Sequence, residues 1–339
     1  MAIDASRVIA TFAIVWVHVA ESQGLSYGPT SLGRFGTSFY VLVAAFFAVR
    51  AVVRAPGQRL SSELLKRTHR LLKPFVTWSL VYALLYGTRA YCDGTSFAGL
   101  IHWWGPLAGT AVHLWCLPFV FFWSVLTIGV APFLFKLKPP HLLIIGSLAS
   151  ALIYWFCYRW LFFAVDRPTL WSLHLHRLDR WIVEIPLFVT AVLLSVAAFG
   201  LDDRARRRLV HRQNLIAIAA FVVFLAGETV YFTQIDLIRS ATHTEGRFMA
   251  NICGAALLIG FLAKGRSSLV RAFAPFGRYT YIAFLAHIVV LEAIRAPVKN
   301  FPGYATVSFA FATTLFVFSG SIAASFAIQR LRFLRWLRA

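Results

Sequence analysis

The chain has 339 residues, of which 59% are hydrophobic and only 14% are charged, and its formal net charge is +20. A soluble domain usually has about 25% charged residues, so this composition excludes an ordinary water-soluble globular protein. The four cysteines lack the close pairing of a metal site or a disulfide framework, and no metal is predicted.

Apolar stretches of membrane-spanning length recur along the chain. A transmembrane helix needs about 20 apolar residues to cross about 30 Å of hydrocarbon. Ten stretches are predicted as transmembrane helices: 7–20, 35–53, 75–88, 113–135, 142–163, 181–199, 215–233, 248–263, 276–294 and 304–328. The polar stretches between them are too short for independent soluble domains. The predicted fold class is therefore an all-α integral membrane protein, with residues 1–339 forming one membrane-embedded domain.

Lysine and arginine are concentrated in alternate loops. The richer set includes residues 54–73, residues 204–212 and the C-terminal tail. The positive-inside rule places these loops in the cytoplasm, and an even number of crossings then puts both termini there. The net charge thus indicates topology and contact with anionic lipids, and no nucleic-acid partner is expected.

The first apolar stretch has a polar face. Arg7 and His18 are eleven residues apart, which brings them within about 20° of one direction on a helix and about 16 Å apart along its axis. Asp4, Thr11 and Glu21 fall on the same side. Because charged groups in hydrocarbon are costly unless they are paired or face a cavity, this stripe predicts a lined cavity. In that interpretation Glu21 orients the His18 imidazole; the alternative is that His18 bonds a neighbouring helix and Arg7 anchors at the headgroups.

A basic amphipathic segment occupies residues 59–73, before the third stretch. Leucines fall on one side of its helical wheel, and the opposite side carries Lys66, Arg67, Arg70 and Lys73. Pro74 is expected to end or kink the helix. The segment can lie on anionic lipid, or it can hold a polyphosphate, since arginine makes bidentate contacts with phosphate.

Four segments resemble, in order, motifs of the membrane acyltransferase-3 family. The first helix resembles the family's Asp–x–x–Arg and Arg–x10–His pattern through Asp4, Arg7 and His18. Residues 67–70 match its Arg–x–x–Arg motif. Residues 113–118 are similar to its His–Leu–Trp–Phe–Leu segment, and residues 276–287 look like its late Gly–x–x–Ser–Tyr helix.

Two departures from the family pattern concern the acceptor pocket. Ala48 and Val49 stand where Ser–Gly usually follows two phenylalanines, and Ala283 and Phe284 stand where Tyr–Leu is common. They leave the expected fold unchanged.

The resemblance implies an enzyme, an acyl-coenzyme-A-dependent O-acyltransferase of the bacterial inner membrane. It implies transfer of an acyl group, usually acetyl from acetyl-CoA, to a sugar hydroxyl of a surface polysaccharide, an exopolysaccharide or a lipid-linked precursor. His18 would act as general base or carry the acetyl group itself. Arg7 would bind the donor or stabilise the oxyanion, with Asp4 positioning it. The nucleotide phosphates would be bound by Arg67 and Arg70, with Lys66 and Lys73 adding positive field.

Three further residues are weaker candidates for binding the acceptor. His113 and Trp115 are expected to begin the fourth helix, where they can contact a sugar or anchor at the interface. Glu228 is an intramembrane carboxylate that can face the cavity. His287 is interpreted as a packing histidine. The alternative function is a transporter or flippase that uses the polar stripe as a proton or substrate path, and a homo-oligomer is left open.

Overall fold

A computed structural model describes residues 2–25, 33–54, 60–95, 105–111, 113–156, 179–201, 204, 268–301 and 303–337. Those residues form helices joined by turns, and they contain no strand. The chain divides into two compact units. The first comprises Met1–Tyr40 and Arg207–Arg335, and the second comprises Val41–Arg206 and Trp336–Ala339.

Eleven α-helices lie within the described ranges. In chain order they are α1 Ala2–Ser22, α2 Phe35–Arg54, α3 Leu60–Arg67, α4 Lys73–Cys92, α5 Gly105–Ala108, α6 Cys116–Leu134, α7 Pro139–Phe156, α8 Asp179–Gly200, α9 Ser268–Phe273, α10 Thr280–Val298 and α11 Val307–Arg330. A π-helical turn, Thr68–Leu72, joins α3 to α4. The 3-10 turns Ala274–Arg278 and Arg332–Leu337 follow α9 and α11 respectively.

Four of these helices are long and apolar enough to cross a membrane: Ile3–Ser22, Phe35–Arg54, Cys116–Leu134 and Val307–Arg330. A fifth crossing results if Val270–Arg278 and Thr280–Arg295, which meet at 75°, form one broken span. The helical, membrane-spanning class is thus confirmed. The predicted stretches 215–233 and 248–263 lie outside the described residues. The number of ten crossings and the cytoplasmic location of both termini therefore stay predictions.

The first unit is built around α1. This helix packs against α9, the following 3-10 turn, α10 and α11. Its small residues Ala5, Ala10 and Ala20 are completely buried, which allows close approach of the surrounding backbone. Phe12 meets Phe318 of α11 edge to face, with ring centroids 5.5 Å apart. Because α1 contains neither proline nor glycine, it runs unbroken and keeps one face in register from end to end.

The second unit contains a tightly packed pair of helices, α7 and α8. Gly146 lies against Leu193, and Gly200 lies against Pro139 at the other end, so the two helices run antiparallel. Helix α6 packs on α8 through aromatic rings, with Phe119 and Trp181 5.5 Å apart. Both α3 and the π-helical turn pack against α6, which fixes the basic segment to the body of this unit.

The π-helical turn alters the expected geometry of the basic segment. The Lys73 N–H donates to the Thr68 carbonyl, five residues back, instead of the four-residue spacing of an α-helix. A single wheel at 100° per residue therefore holds only for Leu60–Arg67. Pro74 lies in the first turn of α4, where proline is tolerated, so the new helix starts at the position the sequence indicated.

Candidate active site on the first helix

Asp4 and Arg7 form an ion pair near the N-terminus of α1. Arg7 Nη1 lies 3.2 Å from Asp4 Oδ1, one helical turn away. The helix begins at Ala2, so Asp4 is in its first turn, where a carboxylate also interacts favourably with the helix dipole. The pair remains partly exposed, with 24% of the Arg7 side chain accessible. The guanidinium is therefore held in place and partly exposed.

Tyr40 of α2 fixes the next turn of α1. Its hydroxyl lies 2.6 Å from Thr11 Oγ1, and the Thr11 hydroxyl donates to the Arg7 carbonyl at 2.8 Å. Either hydroxyl can donate in the Tyr40–Thr11 contact. The Tyr40 hydroxyl also lies 3.3 Å from the Arg7 carbonyl. The backbone beneath Arg7 is thus fixed from a second helix.

At the other end of α1, His18 lies beside Glu21. His18 Nδ1 is 3.8 Å from Glu21 Oε2, and Glu21 Oε1 accepts a hydrogen bond from Arg34 Nη2 at 3.1 Å. Only 12% of the His18 side chain is accessible, whereas Glu21 and Arg34 are more exposed. A carboxylate on the Nδ1 side favours the Nδ1–H tautomer and leaves Nε2 as the basic nitrogen.

His287 of α10 lies against the His18 ring. The two ring centroids are 5.2 Å apart and the planes are inclined at 32°. His287 is completely buried, and its Nδ1 lies 2.6 Å from the Phe284 carbonyl. The Phe284 ring in turn lies between the rings of His287 and Tyr40, at 5.8 Å and 6.0 Å. The interpretation of His287 as a packing histidine did not anticipate this contact with His18.

The predicted polar stripe is therefore present on a continuous helix, and each end of it has partners that were not predicted. Asp4, Arg7, Thr11, His18 and Glu21 all lie on α1 as expected. Arg34, Tyr40 and His287 come from later in the chain. His287 alone had a signal in the sequence, because it ends the segment that resembles the family's late helix; Arg34 and Tyr40 had none.

The four cations of the basic segment, which belongs to the second unit, differ in their contacts and in their exposure. Lys66 Nζ pairs with Glu63 at 2.8 Å. Arg67 is half-buried, and its Nε makes no hydrogen bond within the described ranges. Burial lowers the pKa of the Arg67 guanidinium; Glu63 opposes this shift, and Arg70 adds to it. Arg70 and Lys73 are exposed. A partly buried cation in this setting is stabilised by a bound anion.

The weaker candidates are placed differently from expectation. His113 and Trp115 lie in the turn before α6, which begins only at Cys116, and both are buried. The His113 ring meets Tyr82 edge to face at 5.3 Å, and Trp115 packs on Phe119 at 5.9 Å. Burial among aromatic rings excludes a role as surface anchors in this arrangement. Glu228 lies outside the described residues.

Glu184 of α8 is a buried acid that is not among the predicted site residues, whereas Glu228 is. It is 8% exposed, and its Oε2 has no hydrogen-bond partner within the part of the chain that the structure describes. Trp181 lies one turn earlier on the same helix. Burying an ionisable side chain inside an apolar helix costs free energy, so Glu184 is a candidate functional residue.

Four or five apolar helices among the described residues are long enough to cross a membrane, and the first of them carries a polar stripe; together they define a multi-pass membrane protein. The chain matches the acyltransferase domain of the acyltransferase-3 family over residues 2–329, and it belongs to that family. The resemblance seen in the four sequence segments is thereby confirmed. No curated protein and no solved structure matches the chain at a significant level.

Proposed function

We propose that this membrane acyltransferase moves an acetyl group from cytoplasmic acetyl-CoA to a sugar hydroxyl of a surface polysaccharide, an exopolysaccharide or a lipid-linked precursor. The observation that carries the proposal is the His18–Glu21 pair on α1, with the Asp4–Arg7 pair eleven residues before His18 on the same face. Membership of the acyltransferase-3 family supports acyl transfer as the reaction class.

His18 is the proposed base. Its Nε2 takes the proton of the acceptor hydroxyl while the hydroxyl oxygen attacks the thioester carbonyl carbon. The C–O bond forms, the C–S bond breaks, and the proton passes from His18 to the departing coenzyme A thiolate. In the alternative course His18 Nε2 bonds to the thioester carbonyl carbon while the C–S bond breaks and coenzyme A leaves as the thiolate. The acceptor hydroxyl oxygen then takes the acetyl group as the C–N bond breaks, and its proton passes to the released imidazole and on to the thiolate. Glu21 orients the ring in both courses.

Arg7 is proposed to bind the donor or to stabilise the oxyanion that develops on the thioester carbonyl. Its ion pair with Asp4 and the support of its backbone by Thr11 restrict its motion, which suits a group that must be in position before the reaction. Loss of Asp4 is therefore expected to act through Arg7.

Arg67 and Arg70 are proposed to bind the phosphates of coenzyme A, with Lys66 and Lys73 strengthening the field. The half-buried Arg67 Nε without a hydrogen bond in the described ranges supports this assignment, because an anion would satisfy it. The Lys66–Glu63 pair makes Lys66 the weakest of the four candidates. His113, Trp115 and Glu228 remain proposals for the acceptor.

The enzyme is proposed to reside in the bacterial inner membrane, with both termini in the cytoplasm and basic loops against anionic lipid. This placement gives the basic segment access to soluble acetyl-CoA.

The proposal is tested with purified protein in lipid nanodiscs supplied with acetyl-CoA. Wild-type protein is expected to bind the donor and release free coenzyme A, and His18→Ala is expected to lower that release by at least about 100-fold. His141→Ala is the matched control, because His141 is an exposed histidine of α7. Wild-type protein that neither binds nor hydrolyses acetyl-CoA contradicts the proposal.

The transporter alternative gives a different result in the same preparation. Proteoliposomes that move a glycan precursor at the same rate with wild-type protein and with His18→Ala would favour it over acyl transfer. Mass spectrometry of surface glycans from cells with and without the gene identifies the acyl group and the acceptor.

A further inference from the structure

The protonation of His287 can be read from its hydrogen bond. A carbonyl oxygen only accepts hydrogen bonds, so at 2.6 Å from the Phe284 carbonyl the His287 Nδ1 must carry a proton. A neutral imidazole has one proton, and its Nε2 then carries a lone pair. The sequence alone does not reveal this tautomer, because the tautomer depends on the position of the Phe284 carbonyl, three residues earlier in α10, relative to the His287 ring.

A second proton on His287 is disfavoured by its surroundings. The ring is completely buried, and the His18 ring lies 5.2 Å away. Two imidazolium cations at that separation would repel each other inside an apolar unit. Among the described residues, Glu21 of α1 lies beside His18 and is paired with Arg34, and the Phe284 ring lies between the rings of His287 and Tyr40.

We propose that His18 and His287 bind one proton between them, with His287 acting as a positioning residue whose neutral ring, packed against His18, supports the protonated form of His18 during acyl transfer. The inference rests on the proposed function for its catalytic part, and it goes beyond that function by giving a role to a residue outside α1. The proton that His18 takes from the acceptor hydroxyl stays on the pair until the coenzyme A thiolate receives it.

Two substitutions of His287 distinguish the proposed positioning role from a role in packing alone. His287→Asn keeps an amide donor near the position of Nδ1 and removes the Nε2 side, whereas His287→Gln places an amide near the position of Nε2. We expect His287→Asn to lower kcat by about 10- to 100-fold with an unchanged KM for acetyl-CoA, and His287→Gln to retain more activity than His287→Asn. Wild-type kcat in His287→Asn overturns the proposal, and so does His287→Gln activity no higher than that of His287→Asn.

A second measurement does not depend on turnover. Protein labelled with ¹⁵N in its ten histidines is titrated in nanodiscs, and the two rings are assigned by the signals lost in His18→Ala and His287→Asn. We expect His287 to show a protonated Nδ1 and the two rings to take up one proton together as the pH falls. Two complete imidazolium spectra at the same pH overturn the proposal. Wild-type protein without acetyl transfer would refute the proposed function, while this titration would still decide the state of the pair.

Discussion

Gly277 lies directly against Asp4: a Cβ on Gly277 would overlap the side chain and backbone of Asp4. The glycine belongs to the 3-10 turn that packs on the start of α1, and its missing side chain is what allows that approach. Asp4 in turn holds Arg7. A residue far along the chain from α1 therefore determines where the first ion pair of the candidate site lies.

Gly277→Ala is expected to displace Asp4 and to weaken the hold on Arg7. Overpacking of this kind costs about 1–3 kcal/mol, so thermal stability in detergent should fall along with coenzyme A release. The matched control is Gly129→Ala in α6, where a Cβ meets no atom within 4 Å. Equal behaviour of the two variants would show that the 3-10 turn yields without disturbing α1.

Tyr40→Phe removes the hydroxyl that is hydrogen-bonded to Thr11 and keeps the ring against Phe284. The expected loss of stability is about 1 kcal/mol, the usual net worth of one hydrogen bond. Differential scanning fluorimetry of the detergent-solubilised protein measures it. Tyr91→Phe is the control, because Tyr91 is 86% exposed on α4. A Tyr40→Phe protein as stable as the control would mean that Thr11 alone fixes the backbone at Arg7.

Glu21→Gln is expected to lower kcat by about 10- to 100-fold, since the amide cannot favour the protonated imidazole as a carboxylate does. Arg34→Gln should have a smaller effect, because it leaves the Glu21 charge in place. The double variant is expected to equal Glu21→Gln alone, since Arg34 acts through that carboxylate. The control is Asp93→Asn, a carboxylate paired with Arg89 at the far end of α4. Additive losses in the double variant would place Arg34 in direct contact with a ligand instead.

Arg67→Gln is expected to weaken coenzyme A binding by about tenfold, which corresponds to about 1.4 kcal/mol. Isothermal titration at two salt concentrations should show a reduced salt dependence as well. Arg89→Gln, an exposed arginine on α4, is the control. Acetyl-pantetheine, which lacks the nucleotide phosphates, should bind Arg67→Gln and wild-type protein equally well. Weaker binding of that analogue too would move the role of Arg67 away from phosphate.

The first helix and its polar face could be predicted because the helical spacing is set by the local sequence. A run from Ala2 to Ser22 without proline or glycine keeps the spacing of 3.6 residues per turn, so the shared face of Arg7 and His18 follows from their numbers alone. The helix bounds of α2 follow equally well from apolar length, and those of α11 follow to within three residues. Local rules are sufficient where the chain is locally regular.

The partners of that helix could not be predicted, because they are contacts over long sequence distances. His287 meets His18 only after α10 packs on α1, and Arg34 reaches Glu21 from the turn just before α2. The start of α6 was wrong by three residues, since His113 and Trp115 form a turn although they continue an apolar run. Apolarity shows that a segment can lie in the membrane, but it does not say where the helix begins.

The π-helical turn between α3 and α4 amounts to one residue more than an α-helix needs over the same length. Deletion of a single residue within Thr68–Leu72 would restore the regular spacing, and it would turn Arg67 by about 100° relative to Pro74. In chains of this family that lack the extra residue, the first arginine of the Arg–x–x–Arg motif would therefore point in another direction, even where both arginines are present.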